Sequence, residues 1–437
     1  MVFGPMWIAA SGISAHADAM SVEADNIANV NTDGFKRAAV AFNDLYETTV
    51  RQNKIGLGSQ LAGVSRDFTQ GSLKNTGVTN DLSFDGDGFF VVKGQIDGQR
   101  EATRYVRDGH FIINEQGNLS TIHGLELQGW QVDVVGDPVT NRLGAINVKD
   151  RVLSPRATAK ASVTGNLDKT DKILAAFDKD KTPTTTNLST SITVFDSLGE
   201  GHQIGVHFHK DGETPAGSGK HQWTWYATVD GSEVIGGTKG VAYQGGTGKM
   251  VFGDDGKMES IDTTTTTWQF AGTDPAKTQT IDINMGDPTN KGGSGLLGMR
   301  QFAEPHGLGR IAQDGYASGR LRGVTYDDAG NVLGKFSNDQ IAVVGRIALA
   351  KFSNNNGLSR EGLSMFRETP DSGQPTIVSP RLGTATKLAP TSLEQSNVDL
   401  SREFPVMIAV ERGAQANATM FKSANEMSKE LANLARG

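Results

Sequence analysis

The sequence predicts a mainly β chain with α-helices at both termini and its domains nested one inside another. Three observations predict it: a seven-residue apolar repeat near the N-terminus, a second helical stripe at the C-terminus, and short alternating segments between them. Glycine supports the third, since 54 of 437 residues is about 12%, against an average near 7%. A chain of this length also exceeds what one ordinary core serves.

At the N-terminus Met6, Ala10, Ile13, Ala17, Met20, Ala24 and Ile27 alternate spacings of 4 and 3, the repeat of a coiled-coil seam. Most are Ala or Met, so a lone helix would bury little area at about 25 cal/mol per Å². Such a helix needs a partner, first the other chain end and then the same pair in neighbouring molecules. The stretch "NIANVNTDGF", residues 26 to 35, closes it. Asn26, Asn29 and Asn31 are poor helix formers because their amides compete for backbone hydrogen bonds. They are expected to act as interface residues bridging helix end, loops and neighbouring chains. Gly34 is expected to supply a positive-φ stop, and Phe35 to anchor the emerging chain.

In the middle, segments such as "FFVV", "ITVFD", "IGVHFHK" and "QWTWYATVD" lie between Gly, Asn or Asp turns. Linker-like stretches near 154–160, 182–188, 286–295 and 370–380 divide the chain. The nested expectation is a helical coiled-coil-like inner domain (1–30 with 397–437) and a connecting segment (31–74 with 367–396). Outside these come an inner β domain (75–153 with 297–366) and an inserted outer β-barrel or sandwich (154–296).

At the C-terminus Leu400, Phe404, Met407, Val410, Ala414, Phe421, Ala424, Met427, Leu431 and Leu434 form the second stripe, interrupted by Asn417. From Asp399 onward five acidic and five basic residues cancel, so copies stack without strong repulsion. Pro405 is harmless if the helix starts near Phe404 and kinks it if the helix starts at Ser401.

Composition excludes several chemistries. With no cysteine there are no disulfides, thiolate metal sites or cysteine nucleophiles. A net charge of -7 without a Lys/Arg block argues against nucleic acid, and no apolar run suits membrane insertion or a cleaved Sec signal. His207 and His209 share a strand face and could bind a metal with His202 or His221, but no carboxylate cluster adjoins them in sequence. "DGDG" at 85–88 lacks the later ligands of a calcium loop and reads as a turn. No catalytic, cofactor or metal site is expected. Trp223 and Trp225 share one strand face, which is either core or a carbohydrate-binding or subunit-contacting surface.

"SGISAHADAMSVEADNIANVNTDGFKR" (11–37) closely resembles the N-terminal signature of bacterial flagellar axial proteins, the rod and hook family. "LEQSNVDLSREFPVMIAVERGAQANATMFKSANEM" (393–427) resembles its C-terminal signature. "DGDGFFVV", "RYVRDGHFIINEQGNLSTIHGLELQGW", "GVTYDDAGNVLGKFSNDQ" and "ITVFDSLGEGHQIGVHFHK" look like the hook members rather than the shorter rod members. The resemblance implies a non-enzymatic subunit that assembles with itself into a curved tube, a universal joint passing torque from rod to filament. It implies as partners a distal rod protein, a hook cap protein, a hook–filament junction protein and the flagellar type III export apparatus, and an extracellular location at the flagellar hook. The readings it displaces are a rod protein and a secreted β-rich carbohydrate-binding protein or enzyme.

Overall fold

The computed structural model describes residues 4–45, 47–50, 53–96, 100–132, 143–274, 278–381 and 384–434; the outermost ends of the expected helical domain lie outside them. The described chain is mainly β, with long helices at Gly4–Ala28 and Leu400–Leu434. It divides into two compact units.

The first unit holds both chain ends, residues 1–151, 321–335 and 341–437. Its helices pair antiparallel, because Gly12 meets Asn417, His16 meets Gly413 and Asn26 meets Glu403, one number rising as the other falls. The C-terminal helix is capped by Asp399, whose Oδ1 accepts from the Ser401 amide at 2.9 Å. Pro405 therefore lies inside the helix, beyond its first turn, and withdraws one donor from the ladder.

From the helix pair the chain runs into a hairpin, Ala38–Asp44 against Ser59–Arg66. Short strands then tie early to late sequence: Leu73–Asn75 pairs with Ser392–Glu394, and Leu82–Asp85 with Lys387–Pro390. A larger sheet follows in the order Asn331–Phe336, Ile341–Ile347, Glu126–Trp130, Phe89–Gly94, Ala102–Val106 and Met365–Arg367. Phe89, Val91, Tyr105, Ala348, Ala350 and Phe366 build a core on one face. On the other face Phe90 stacks on Phe84 and meets Phe111 edge-on, ring centroids 4.1 and 5.2 Å apart.

The second unit comprises residues 152–320 and 336–340. One antiparallel sheet runs in chain order through Leu188–Phe195, Gly201–Glu213, His221–Asp230, Ala242–Phe252 and Met258–Ile261. A second sheet gathers Thr265–Trp268, Gln279–Asn284, Lys160–Asp168, Met299–Phe302 and Gly307–Gln313. The two share one core containing Trp223, Trp225 and Trp268. Both members of the Trp223/Trp225 pair are fully buried, so neither forms an exposed platform.

This unit corrects the expected boundary at 296. Met299–Phe302 and Gly307–Gln313 both hydrogen-bond to Lys160–Asp168, one parallel and one antiparallel, which carries the insertion on to 320. The glycine-rich stretch at 286–295 looked like a linker, but it is a turn inside the unit, with Asp287 accepting from the Ser294 and Leu297 amides.

Candidate functional site

The helix pair and the point where the chain leaves it carry the features that sequence reasoning singled out. The inward face of the N-terminal helix is Ala9, Gly12, Ala15, Ala19, Glu23 and Asn26. This corrects the expected seam. Ala17 and Ala24 are exposed, and Met6, Ala10, Ile13, Met20 and Ile27 are only half-buried.

The reason is close approach. A Cβ on Gly12 would lie 2.5 Å from Asn417 Oδ1, and one on Gly413 would lie 2.5 Å from the His16 ring. Each glycine is the hole that receives a side chain of the other helix, Asn417 over Gly12 and His16 over Gly413, so these positions and not the Met and Ile stripe set the contact. Asn417, which breaks the second stripe, is a contact residue; its Nδ2 donates to the Gly413 carbonyl at 2.8 Å.

On the C-terminal helix only Glu403, Val410 and Ala424 are buried. Leu400, Met407 and Ala414 are half-buried, while Phe404, Phe421, Leu431 and Leu434 are exposed along with Ile408, Met420 and Met427. The N-terminal helix thus turns mostly small residues inward, and the C-terminal helix turns most of its large apolar side chains outward. Single exposed apolar residues are ordinary, but a row of them along one element marks an interaction surface.

At the helix exit the three asparagines differ. Asn26 is fully buried; its Nδ2 donates to the Ala38 carbonyl and its Oδ1 accepts from the Ala38 amide, both at 2.8 Å. That pairing clamps the helix to the following strand, as a strand neighbour would. Asn29 bonds locally to Asp25 and accepts from Thr32, and Asn31 is exposed. Asn26 is therefore a clamp within the chain, which corrects its expected role towards neighbouring chains. Gly34 takes φ +71°, and a Cβ there would lie 2.6 Å from the Asp108 amide nitrogen. Phe35 is buried, with the Arg360 guanidinium 5.4 Å from its ring centre.

Two buried ionic clusters follow, neither visible in the sequence pattern. Glu403 accepts from Asn26 at 3.1 Å and from Arg37, and it shares a hydrogen bond with Glu23. Burial, then the Glu403 carboxylate, push Glu23 up to about 7. Burial also opposes the charge on Glu403, but hydrogen bonds from Glu23, Arg37 and Asn26 outweigh it and hold its carboxyl below the usual range. In the second cluster Glu394 Oε1 accepts from Lys36 Nζ at 2.6 Å and the Gly71 amide at 2.9 Å, and its Oε2 accepts from Arg107 at 3.1 Å. The Glu394 carbonyl accepts from the Gly34 amide at 2.7 Å. These side chains come from both ends of the chain and from the β part, so they lock the helix exit to the sheet.

The raised Glu23 sets the sign of a pH dependence. Its folded value exceeds the unfolded one, so its contribution is complete below the unfolded value of 4.5 and is lost as pH rises through about 7. Between about pH 4.5 and pH 7.5 the helix pair should weaken, and Glu23→Gln should flatten that dependence. Hydrogen exchange of the N-terminal helix measured across that range checks it.

A cleft of about 650 Å³ adjoins the exit, lined by Asn29, Thr32, Asp33, Asp108, His110 and Arg360 among others. Burial raises the Asp33 and Asp108 carboxyls there. His110 Nδ1 sits 2.7 Å from Asp81. "DGDG" enters the strand at Phe89 as a turn fixed by Gln70 and Thr386. His207 is held by Ser189 and Thr228, while His209 turns to the Thr185 carbonyl, so they do not converge.

Four family models match in chain order: the flagella basal body rod protein over 6–36 and the flagellar hook protein FlgE/F/G D1 domain over 83–165. The flagellar basal body protein FlaE D2 domain matches 166–316, and the flagellar basal body rod FlgEFG protein C-terminal matches 389–434. Flagellar hook protein FlgE of Escherichia coli K12 is 32% identical over 439 residues, with 98% of each chain covered. The FlgE proteins of Salmonella typhimurium LT2 and Treponema pallidum Nichols are 31% and 29% identical, again across 98% of each chain.

Proposed function

The chain belongs to the flagellar hook protein FlgE family, and from that premise we propose how its surfaces build the hook. It is a structural subunit of the bacterial flagellar hook. Its work is mechanical rather than catalytic. Copies join through the outward apolar face of the paired terminal helices, with Ala17, Ala24, Phe404, Phe421, Leu431 and Leu434 at the contact. Contacts of this kind are head-to-tail and do not close on themselves, so they propagate into a helical tube.

One observation carries this reading: the helices pair through small and polar residues, yet expose Phe404, Ile408, Met420, Met427 and Leu431. Among the described residues nothing covers that surface, and a neighbouring copy of the same pair supplies the matching face. The β parts then slide as curvature changes while the helical contacts persist. The distal rod protein, hook cap protein and hook–filament junction protein contact the tube at its ends and during growth. The flagellar type III apparatus exports the subunit, a route that suits a chain without cysteine.

Electron microscopy of the purified chain at high concentration tests the proposal. Tubes of uniform diameter are expected from the full chain and absent after deletion of residues 1–30. A full chain that stays monomeric with ordered ends contradicts it.

A further inference from the structure

The geometry points to a transition-metal site in the second unit, formed by Asp196, Glu200 and His202 for a borderline divalent cation such as Zn2+. One ligand atom from each residue lies within 4.8 Å of the others. Asp196 is the first residue after Leu188–Phe195, and His202 lies near the start of Gly201–Glu213, across the hairpin from Val194. The site therefore spans one tight turn.

Two buried atoms point into it without partners. Asp196 is fully buried; its Oδ1 accepts from the Leu198 and Glu200 amides at 2.9 and 2.8 Å, while Oδ2 has no hydrogen bond. His202 is also buried; Nδ1 lies 3.0 Å from Glu233 Oε2, while Nε2 has no hydrogen bond. The two free atoms face each other at 3.7 Å. That is too long for a hydrogen bond but close to the separation of about 3.4 Å between neighbouring ligand atoms on a tetrahedral Zn2+. A cation between them satisfies both.

The surroundings match what a metal-binding imidazole needs. Glu233 on Nδ1 sets the tautomer that leaves Nε2 free to ligate, the carboxylate–histidine–metal arrangement. The His202 ring stacks on Phe270, centroids 3.9 Å apart and planes within 8° of parallel, so its direction is fixed. Glu200 is exposed and closes over the ion from the solvent side, leaving a fourth position for water. One imidazole and two carboxylates favour Zn2+ or Co2+ over Ca2+ and Mg2+, which prefer all-oxygen cages. Bound metal would staple the two strands of this hairpin together across their turn.

The test uses the full chain, freed of any histidine tag and of metal, titrated with Zn2+ by calorimetry. One ion per chain is expected, not displaced by Ca2+ or Mg2+. Glu200→Gln, at an exposed position, should weaken binding at least about 10–100-fold. His202→Gln should abolish it, and the exposed His123→Gln should leave it unchanged. Should His202→Gln fail to fold, Co2+ absorption of the unaltered chain decides: an intense tetrahedral spectrum supports the site, and the weak spectrum of hydrated Co2+ overturns it. No Zn2+ uptake by the unaltered chain, or binding indifferent to Glu200→Gln and His202→Gln, leaves two unpartnered buried atoms only and overturns it as well.

Discussion

Glu394→Ala is expected to destabilise the first unit by about 3–5 kcal/mol, the usual cost of removing one partner from a buried ion pair. Glu394 and Lys36 are almost wholly excluded from solvent, and Arg107 nearly so. Without the carboxylate, two cations remain in a site where burial already opposes the charge on each. The Gly71 amide loses its acceptor as well. A deletion with so little relief should cost more than any surface change in this molecule. Hydrogen exchange in denaturant, followed on peptides covering Phe89–Gly94 and Leu349–Lys351, reads the loss. Peptides from the second unit's tryptophan core should keep their protection.

Ala17→Glu combined with Ala24→Glu should raise the concentration needed for polymerisation at least about 100-fold while leaving the folded monomer within about 0.5 kcal/mol of its starting stability. Both alanines are exposed on the N-terminal helix, one heptad apart, so the single chain tolerates the carboxylates. In a tube they would bring two like charges per copy into a desolvated contact, where an unpaired charge is most costly. Sedimentation of polymer against monomer over a concentration series measures the shift. Circular dichroism on the same samples checks that the fold is intact.

Much of the architecture was legible because it follows from local pattern. The two terminal stripes placed both helices, and alternation with turn residues marked the strands from Phe89 onward and through His221–Asp230. What periodicity could not give was the angular setting of the helix pair. A heptad stripe says which residues are apolar, whereas the contact is set by which side chain fits which gap, as Asn417 does over Gly12. The stripe and the seam differ for this reason, and the stripe is left partly half-buried and partly exposed.

The buried ionic clusters were illegible for a different reason. Lys36 and Glu394 are 358 positions apart, and nothing in "GFKR" marks its lysine as buried rather than solvated. The one hint was placement: two charged residues directly after Phe35, at a helix exit where the backbone still needs partners. The Asp196 and His202 pair was hidden likewise. "VFDSLGEGH" reads as an ordinary hairpin turn, and the more conspicuous His207 and His209, on the same strand as His202, bind other groups. The boundary at 296 was misplaced because a glycine-rich turn and a linker look alike in sequence, and only pairing to Lys160–Asp168 tells them apart.

Joining of copies through the outward face of the terminal helices, as proposed, requires that this face close to water on assembly. The chain has no cysteine, so a single Ala17→Cys substitution gives an unambiguous probe on that face. Its rate of reaction with a water-soluble maleimide, measured in the monomer and in the assembled tube, tests the claim most directly. Rapid labelling in the monomer and strong protection in the tube is the predicted result. Equal rates in both states would contradict it, because tubes would then form with this face still open to water.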